Sequence, residues 1–400
     1  MPDPITVVGI GADGWEALAP AARAAIESAE VLLGSTRQLG LVPTGAARPA
    51  GASRVAWPSP LSEALPGLLS EYAGRRICVL ASGDPTFHGI GTTLVRLLGA
   101  DAVHVIPQPS SVSLACARLG WPQDQVQVVS LVTNPVERLH PHLQPGRLLL
   151  ILSRGAQTPA EVAQLLVARG YGASEFTVLE QLGGPSERIR SAPAASWSED
   201  VDALNVIAVE CEGPVLSTAP GLPDDAYEND GQLTKREVRA VTLSRLAPVP
   251  GQLLWDVGGG AGSIAIEWSR HHPSCRAIAV ERDLDRAKRL ERNAATLGAS
   301  VVIVEGAAPE ALDGLEAPDA IFIGGGATAA GMFDACWNVL KPGGRLVANG
   351  VTLETESLLA DWYKSRGGDL VRLSVQRASA VGTMTGWRPA MPVTIWSVVK

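Results

Sequence analysis

Two glycine-rich loops of different build, about 250 residues apart, carry most of the chemical information in this 400-residue chain. The later one runs Leu254-Trp255-Asp256-Val257-Gly258-Gly259-Gly260-Ala261-Gly262-Ser263, with an acid at the end of an apolar run and glycines leading into a helical pattern. Glycines there let the chain turn sharply and let a ligand lie against bare main chain. A helix start behind them offers free N–H groups to an anionic ligand end. The next apolar run closes on Glu281, placed to hydrogen-bond ribose hydroxyls. The earlier loop, Val7-Val8-Gly9-Ile10-Gly11-Ala12-Asp13-Gly14, has three glycines and no such acid before them. Two unlike loops point to two sites.

Two ligand classes compete for the later loop. A dinucleotide fingerprint, G-x-G-x-x-G or a close variant, has its last glycine where Ser263 stands. S-adenosylmethionine brings an ammonium, a carboxylate and a sulfonium, and Asp256 ahead of the glycines suits its cationic part. Asp256 and Glu281 together favour S-adenosylmethionine. A two-domain NAD-linked oxidoreductase and a noncatalytic binding protein are the alternatives.

The elements that position these loops follow from periodicity. Strands are expected at Ile5–Gly9, Val31–Gly34, Arg76–Ala81, Ala102–Ile106, Val126–Ser130, Leu148–Leu152, Glu175–Leu179 and Asn205–Glu210, with helical stretches between several of them. That alternation predicts an α/β domain with a largely parallel sheet. From Glu212 to Gly231 periodicity lapses into proline and glycine, which predicts a linker over 213–230 between domains 1–212 and 231–400. Strand–helix alternation then resumes, with strands at Leu253–Val257, Arg276–Glu281, Ser300–Glu305, Ala320–Ile323, Arg345–Gly350 and Thr394–Val399.

Bulk properties narrow the class. A net charge of −8 argues against nonspecific nucleic-acid binding. The five cysteines are scattered without metal or redox spacing, so no metal site is expected. No apolar run reaches the roughly 18 residues of a membrane span, and the start of the chain lacks a signal pattern, so a cytoplasmic protein is expected.

The second half resembles the Rossmann-like class I methyltransferases, and among them the decarboxylating precorrin methyltransferases. The matching stretches are Leu233-Thr234-Lys235-Arg236-Glu237-Val238-Arg239, Asp256 to Gly262, Val280-Glu281-Arg282, Glu305 to Leu312, Ile321 to Gly325 and Leu340 to Leu346. The resemblance implies that Thr234 covers S-adenosylmethionine, that Gly258, Gly259, Gly260, Ala261 and Gly262 line it, and that Glu281 holds its ribose. Main chain at Ala307 and Ala308 would meet the adenine; an acid often found in that family at the place of Ala307 is missing here. The first half resembles the tetrapyrrole methylases, a bilobal class III fold, through Val8-Gly9-Ile10-Gly11, Leu32-Leu33-Gly34, Ser82-Gly83-Asp84-Pro85, Pro109 to Ser113, Ser153-Arg154 and Glu180 to Gly183. That resemblance implies a second S-adenosylmethionine in a cleft between lobes, met by Gly83 and Asp84 and walled by Ser111, Ser113, Ser153 and Leu182. Gly9 and Gly11 would face the tetrapyrrole. Asp84 reads equally as a turn residue before Pro85.

The order of halves agrees with the bifunctional members of the precorrin family. It implies methylation of meso carbons 5 and 15 of a corrin precursor, with loss of the ring C acetate carboxyl, and a homo-oligomer. Holding a polycarboxylate calls for arginine forks. Arg154, Arg188 and Arg190 are candidates in the first half, and Arg345, Arg377 and Arg388 in the second. Asn349 and Thr352 are polar residues where this fold places substrate-facing groups, and Glu354 is the candidate acid or base.

Overall fold

A computed structural model describes residues 4–46, 52–58, 60–215 and 217–400. The chain divides into two compact units: Met1–Val136 with Gln144–Pro214, and Glu137–Leu143 with Val215–Lys400. No helix among the described residues is long and apolar enough to cross a membrane.

The first unit holds two sheets. Strands β1 (Ile5–Ile10), β2 (Val31–Gly34), β3 (Ser53–Ala56), β4 (Ile77–Ser82) and β5 (Val103–Ile106) form a parallel sheet in the order β3-β2-β4-β1-β5. Both faces are covered, because successive residues of β1 enter different cores: Val7 packs with Val31 and Val79, whereas Val8 and Ile10 pack with Ile26 and Leu80. The chain leaves β1 toward β2 on one side and β4 toward β5 on the other. This reversal opens a crevice at the carboxyl ends of β1 and β4, where open α/β sheets take ligands.

The second lobe is built from β6 (Val126–Ser130), β7 (Leu148–Leu152), β8 (Glu175–Glu180), β9 (Arg188–Pro193) and β10 (Asn205–Glu210), in the order β6-β7-β10-β8-β9. Only β6 and β7 run parallel; β10 is antiparallel to both neighbours and β9 to β8. The expectation of a largely parallel sheet therefore holds for the first lobe and fails for the second. Apolar runs buried on both faces look alike in either orientation, and the arginine-bearing edge strand β9 carries no such run.

The second unit is a seven-stranded sheet of β11 (Leu253–Val257), β12 (Arg276–Glu281), β13 (Val301–Glu305), β14 (Ala320–Ile323), β15 (Arg345–Gly350), β16 (Asp369–Leu373) and a last strand, Val393–Val399. A separate hairpin, β17 (Gln376–Val381) and β18 (Met384–Pro389), precedes that last strand, β19. The order β13-β12-β11-β14-β15-β19-β16 is parallel up to β15, and β19 is antiparallel to both its neighbours. Its reversal point lies between β11 and β14, with the glycine loop at the carboxyl end of β11.

The stretch 213–230 is not a free linker. Pro214 closes the first unit, and the chain from Val215 onward packs with the second. Leu222 and Tyr227 are buried. The buried Glu267 carboxylate, on helix Ser263–His271, accepts from Gly221 N (2.6 Å), Leu222 N (3.0 Å), the Tyr227 hydroxyl (2.8 Å) and Arg239 Nε (2.6 Å). Composition gave no sign of this order, because it comes from partners far along the chain.

Candidate functional site

In the second unit a cavity of about 860 Å3 opens at the carboxyl edge of the sheet. Thr234, Asp256, Gly258, Gly259, Gly260, Ala261, Glu281, Ala307, Ala308, Asn349 and Arg377 all line it. A Cβ on Gly258 would stand 2.9 Å from Gly325 N, so the loops after β11 and β14 meet too closely for any side chain. Gly262 does something else. It precedes helix Ser263–His271 in the left-handed region (φ +79°), and a Cβ there would lie 2.5 Å from Leu290 Cγ. Gly262 itself is outside the cavity lining, between Ala261 and Ser263, which are part of it.

The two acids are built in differently. Glu281 Oε2 accepts from Gly260 N at 2.8 Å, and Oε1 accepts from Asp283 N at 2.9 Å, which ties its carboxylate to the glycine loop. Asp256 is almost fully buried; one oxygen accepts from Ala265 N at 3.0 Å. Burial pushes its carboxyl up to about 7, opposed by the Ala265 N–H and assisted by the nearby charge of Glu281. A buried carboxylate at the cavity wall, with no cation paired to it among the described residues, suits a ligand that brings positive charge.

The cavity wall from Gly231 to Lys235 depends on the packed strap before it. Asn293 joins strap to loop: its Oδ1 accepts from Glu228 N (2.9 Å), and its Nδ2 donates to the carbonyls of Glu228 and Ala261 (both 2.9 Å). Asp230 pairs with Arg286 and Arg289 at 2.9 and 3.2 Å. Glu267, Asn293 and Arg239 were not foreseen as site residues. Glu267 had a signal, as a lone acid within the otherwise apolar start of its helix.

Four expected residues do not belong to this cavity in the expected way. Arg345 begins β15, whereas Asn349 near its far end lines the cavity; in a parallel strand that puts Arg345 at the opposite edge, where it bonds Gln252. Thr352 caps helix Leu353–Arg366 by accepting from Thr355 N at 3.3 Å. Glu354 is exposed, outside the lining, and held ionised by its own backbone N–H and by Thr352, which unfits it as a proton donor. Arg377 does reach the cavity, but its guanidinium is paired with Glu237.

In the first unit the loops after β1, β4 and β5 converge. Gly83 N donates to the Ile10 carbonyl (3.2 Å), and the Gly83 carbonyl accepts from Gln108 N (3.3 Å). A Cβ on Gly9 would lie 2.0 Å from that carbonyl oxygen, and one on Gly83 would lie 3.2 Å from Ser110 Cα. Ser110 caps helix Ser111–Leu119 by accepting from Ser113 N at 3.0 Å, so Ser111 and Ser113 open a helix against Gly83. Gly11 abuts Asp13, and Gly184 of the loop after β8 abuts Ala12, which brings the two lobes together around the first glycine loop.

The side chains there have local partners. Asp84 Oδ1 accepts from Thr86 N (2.8 Å) and the Thr86 hydroxyl (2.6 Å), which makes it a turn-former. Ser153 bonds only within its own turn, to Gly155. The Leu182 side chain is buried with Val112 and Cys116, leaving any wall role to its main chain. Arg154 is committed to Glu161, and Arg188 and Arg190 both serve the buried Glu180, whose carboxyl they help hold down to about 2. None of these three is a free fork for a substrate carboxylate. Among the described residues no cluster of three or more His, Cys, Asp or Glu could hold a metal.

Comparison with known proteins agrees with this division. The tetrapyrrole (corrin/porphyrin) methylase family matches residues 4–197, and the precorrin methyltransferase domain matches residues 225–400. Fold and site together define a two-domain methyltransferase. The chain is 46% identical to a precorrin-6Y C(5,15)-methyltransferase (decarboxylating) of Sinorhizobium sp, over 99% of this chain and 96% of that one. It belongs to the family of decarboxylating precorrin-6Y C(5,15)-methyltransferases. Shorter relatives cover part of it: a cobalt-precorrin-7 C(5)-methyltransferase of Salmonella typhimurium is 35% identical over 51% of this chain and 98% of its own. A probable cobalt-precorrin-6B C(15)-methyltransferase (decarboxylating) of Saccharolobus solfataricus is 36% identical over 34% of this chain and 72% of its own.

Proposed function

We propose that each unit binds its own S-adenosylmethionine. The first methylates carbon 5, and the second decarboxylates the ring C acetate and methylates carbon 15, taking precorrin-6B to precorrin-8 in cobalamin biosynthesis. One observation carries this reading: the chain holds two parallel sheets of unrelated strand order, each with glycine loops where that order reverses, and a cavity stands at the carboxyl edge of the second. Relatives named for a single one of the two methylations, each spanning only part of the chain, support the division of labour.

Bound in such a crevice, the cofactor supplies an electrophilic methyl group. The substrate's meso carbons are electron-rich, so the protein's work is alignment and exclusion of water. In the second unit, Glu281 and the glycine loop would hold the ribose, Asp256 the cationic end, and main chain at Ala307 and Ala308 the adenine. The cavity lies within the roughly 300–1,000 Å3 of small-molecule sites, enough for the cofactor and one edge of a macrocycle. Asn349 is the substrate-facing polar group we retain. It is oriented by its Nδ2 bond to the Thr242 hydroxyl at 2.9 Å. We further expect a cytoplasmic homo-oligomer without nucleic-acid partners; the hairpin's exposed Val381, Met384 and Trp387 support assembly.

Incubation with labelled S-adenosylmethionine and precorrin-6B tests the reading. Two methyl groups and one carbon dioxide per macrocycle are expected. A single methyl, or carbon dioxide release abolished by damage to the first unit alone, would overturn it.

A further inference from the structure

Arg37 stands apart from the other arginines of the first unit discussed above. Those at 154, 188 and 190 are each paired with a carboxylate, whereas Arg37 has none among the described residues. Among the described residues its hydrogen bond runs from Nη2 to Ser82 Oγ at 2.8 Å. Yet the guanidinium is half-buried, and that burial lowers its pKa with no counter-charge to offset it. Desolvating a charge without a partner is unfavourable, which makes the arrangement a poor one for stability alone.

The surroundings hold it in a defined place. Arg37 lies in the short helix Thr36–Gly40 that follows β2, and Gly34 lets that turn pack on β4, since a Cβ there would lie 3.1 Å from Leu80 Cβ. A capping box fixes the turn: Ser35 Oγ accepts from Gln38 N, and Gln38 Oε1 accepts from Ser35 N. The buried Gln38 also donates from Nε2 to Ser82 Oγ at 3.1 Å. Ser82 Oγ therefore accepts two N–H groups, and its own proton is left to donate. Ser82 is exposed and adjoins Gly83, at the carboxyl edge of the sheet beside Gly9. Two kinds of donor, a cationic fork and a hydroxyl, thus sit together at the rim of the first crevice.

We propose that Arg37 and the Ser82 hydroxyl form the receptor for one carboxylate arm of the macrocycle in the first unit. This rests on the reading that the first unit methylates a polycarboxylate tetrapyrrole. The receptor would set which arm faces the crevice, and so which meso carbon is presented for methylation.

The test uses the full chain. Arg37→Ala should raise the KM for precorrin-6B in carbon 5 methylation by about 10- to 100-fold, the equivalent of one charge-assisted hydrogen bond. The KM for S-adenosylmethionine in that reaction should hold, and carbon dioxide release serves as the internal reference. Arg37→Lys should recover part of the loss, and Ser82→Ala should give a smaller one. Should Arg37→Ala fail to fold, Arg37→Gln removes the charge and keeps a donor toward Ser82. An unchanged macrocycle KM in a folded variant overturns the receptor. A wild-type chain that adds no methyl at carbon 5 overturns the functional reading instead. Direct titration of the macrocycle against wild type and variant then decides the receptor alone, with equal affinity refuting it.

Discussion

Asn in place of Asp256 should stabilise the ligand-free second unit while weakening its cofactor site. The Asp256 carboxyl is raised from 3.8 to about 7 by burial. A folded-state pKa above the unfolded value contributes stability that is full below the unfolded value and is lost as pH rises through about 7. A difference of about three pH units at 1.36 kcal/mol each corresponds to ~4 kcal/mol lost by pH 8. Asparagine keeps an oxygen for Ala265 N–H and never ionises, so Asp256→Asn should recover about 2–4 kcal/mol at pH 8. That is a rise of roughly 5–15 °C in the second unit's melting transition. The same linkage makes wild-type cofactor affinity pH-dependent: at pH 6 the carboxyl is protonated by about ten to one, so binding should be about tenfold weaker than above pH 8. Scanning calorimetry across pH 5.5–8.5, with and without S-adenosylmethionine, reads both effects. A variant less stable than wild type at pH 8, or a cofactor-induced shift that does not vary with pH, would show that the Asp256 carboxyl does not titrate in the site.

Other substitutions separate the two sites. Gly9→Ala drives a methyl into the Gly83 carbonyl oxygen, so carbon 5 methylation should be lost while carbon dioxide release continues; loss of both in product assays would contradict the division. Glu267→Ala leaves Arg239 buried without its main carboxylate and should cost about 3–5 kcal/mol, read by denaturant unfolding, with a cost under about 1 kcal/mol arguing against the strap network. Arg345→Ala, at the far edge of the sheet, should leave the macrocycle KM within about twofold, since nothing there touches the cavity. A large rise in KM would restore it as a substrate ligand.

Much of the fold was legible because apolar runs end on glycine or an acid. The strands carrying both glycine loops, β1 and β11, stand within a residue of where periodicity puts them. What escaped lacked that contrast. Ser53–Ala56 is four residues long, and Arg188–Pro193 is an edge strand with arginines on it. Helix Leu353–Arg366 buries only Leu359 and Trp362, too few for a 3.6-residue pattern to show. Among site residues, Asp256, Glu281 and the glycines could be read locally, because each acts from a strand end. The strap could not. Its order depends on Glu267 and Asn293, which lie 46 and 65 residues beyond Gly221 and Glu228. The arginines failed for a related reason: a side chain's salt-bridge partner decides whether it is free for a ligand, and neither Glu161 nor Glu180 announces that in sequence.

If the chain holds two cofactor sites, equilibrium titration of the full-length protein with S-adenosylhomocysteine should saturate at two equivalents per chain, with one removed by Gly9→Ala and the other weakened by Asp256→Asn. Saturation at one equivalent per chain, abolished entirely by either substitution, would contradict it.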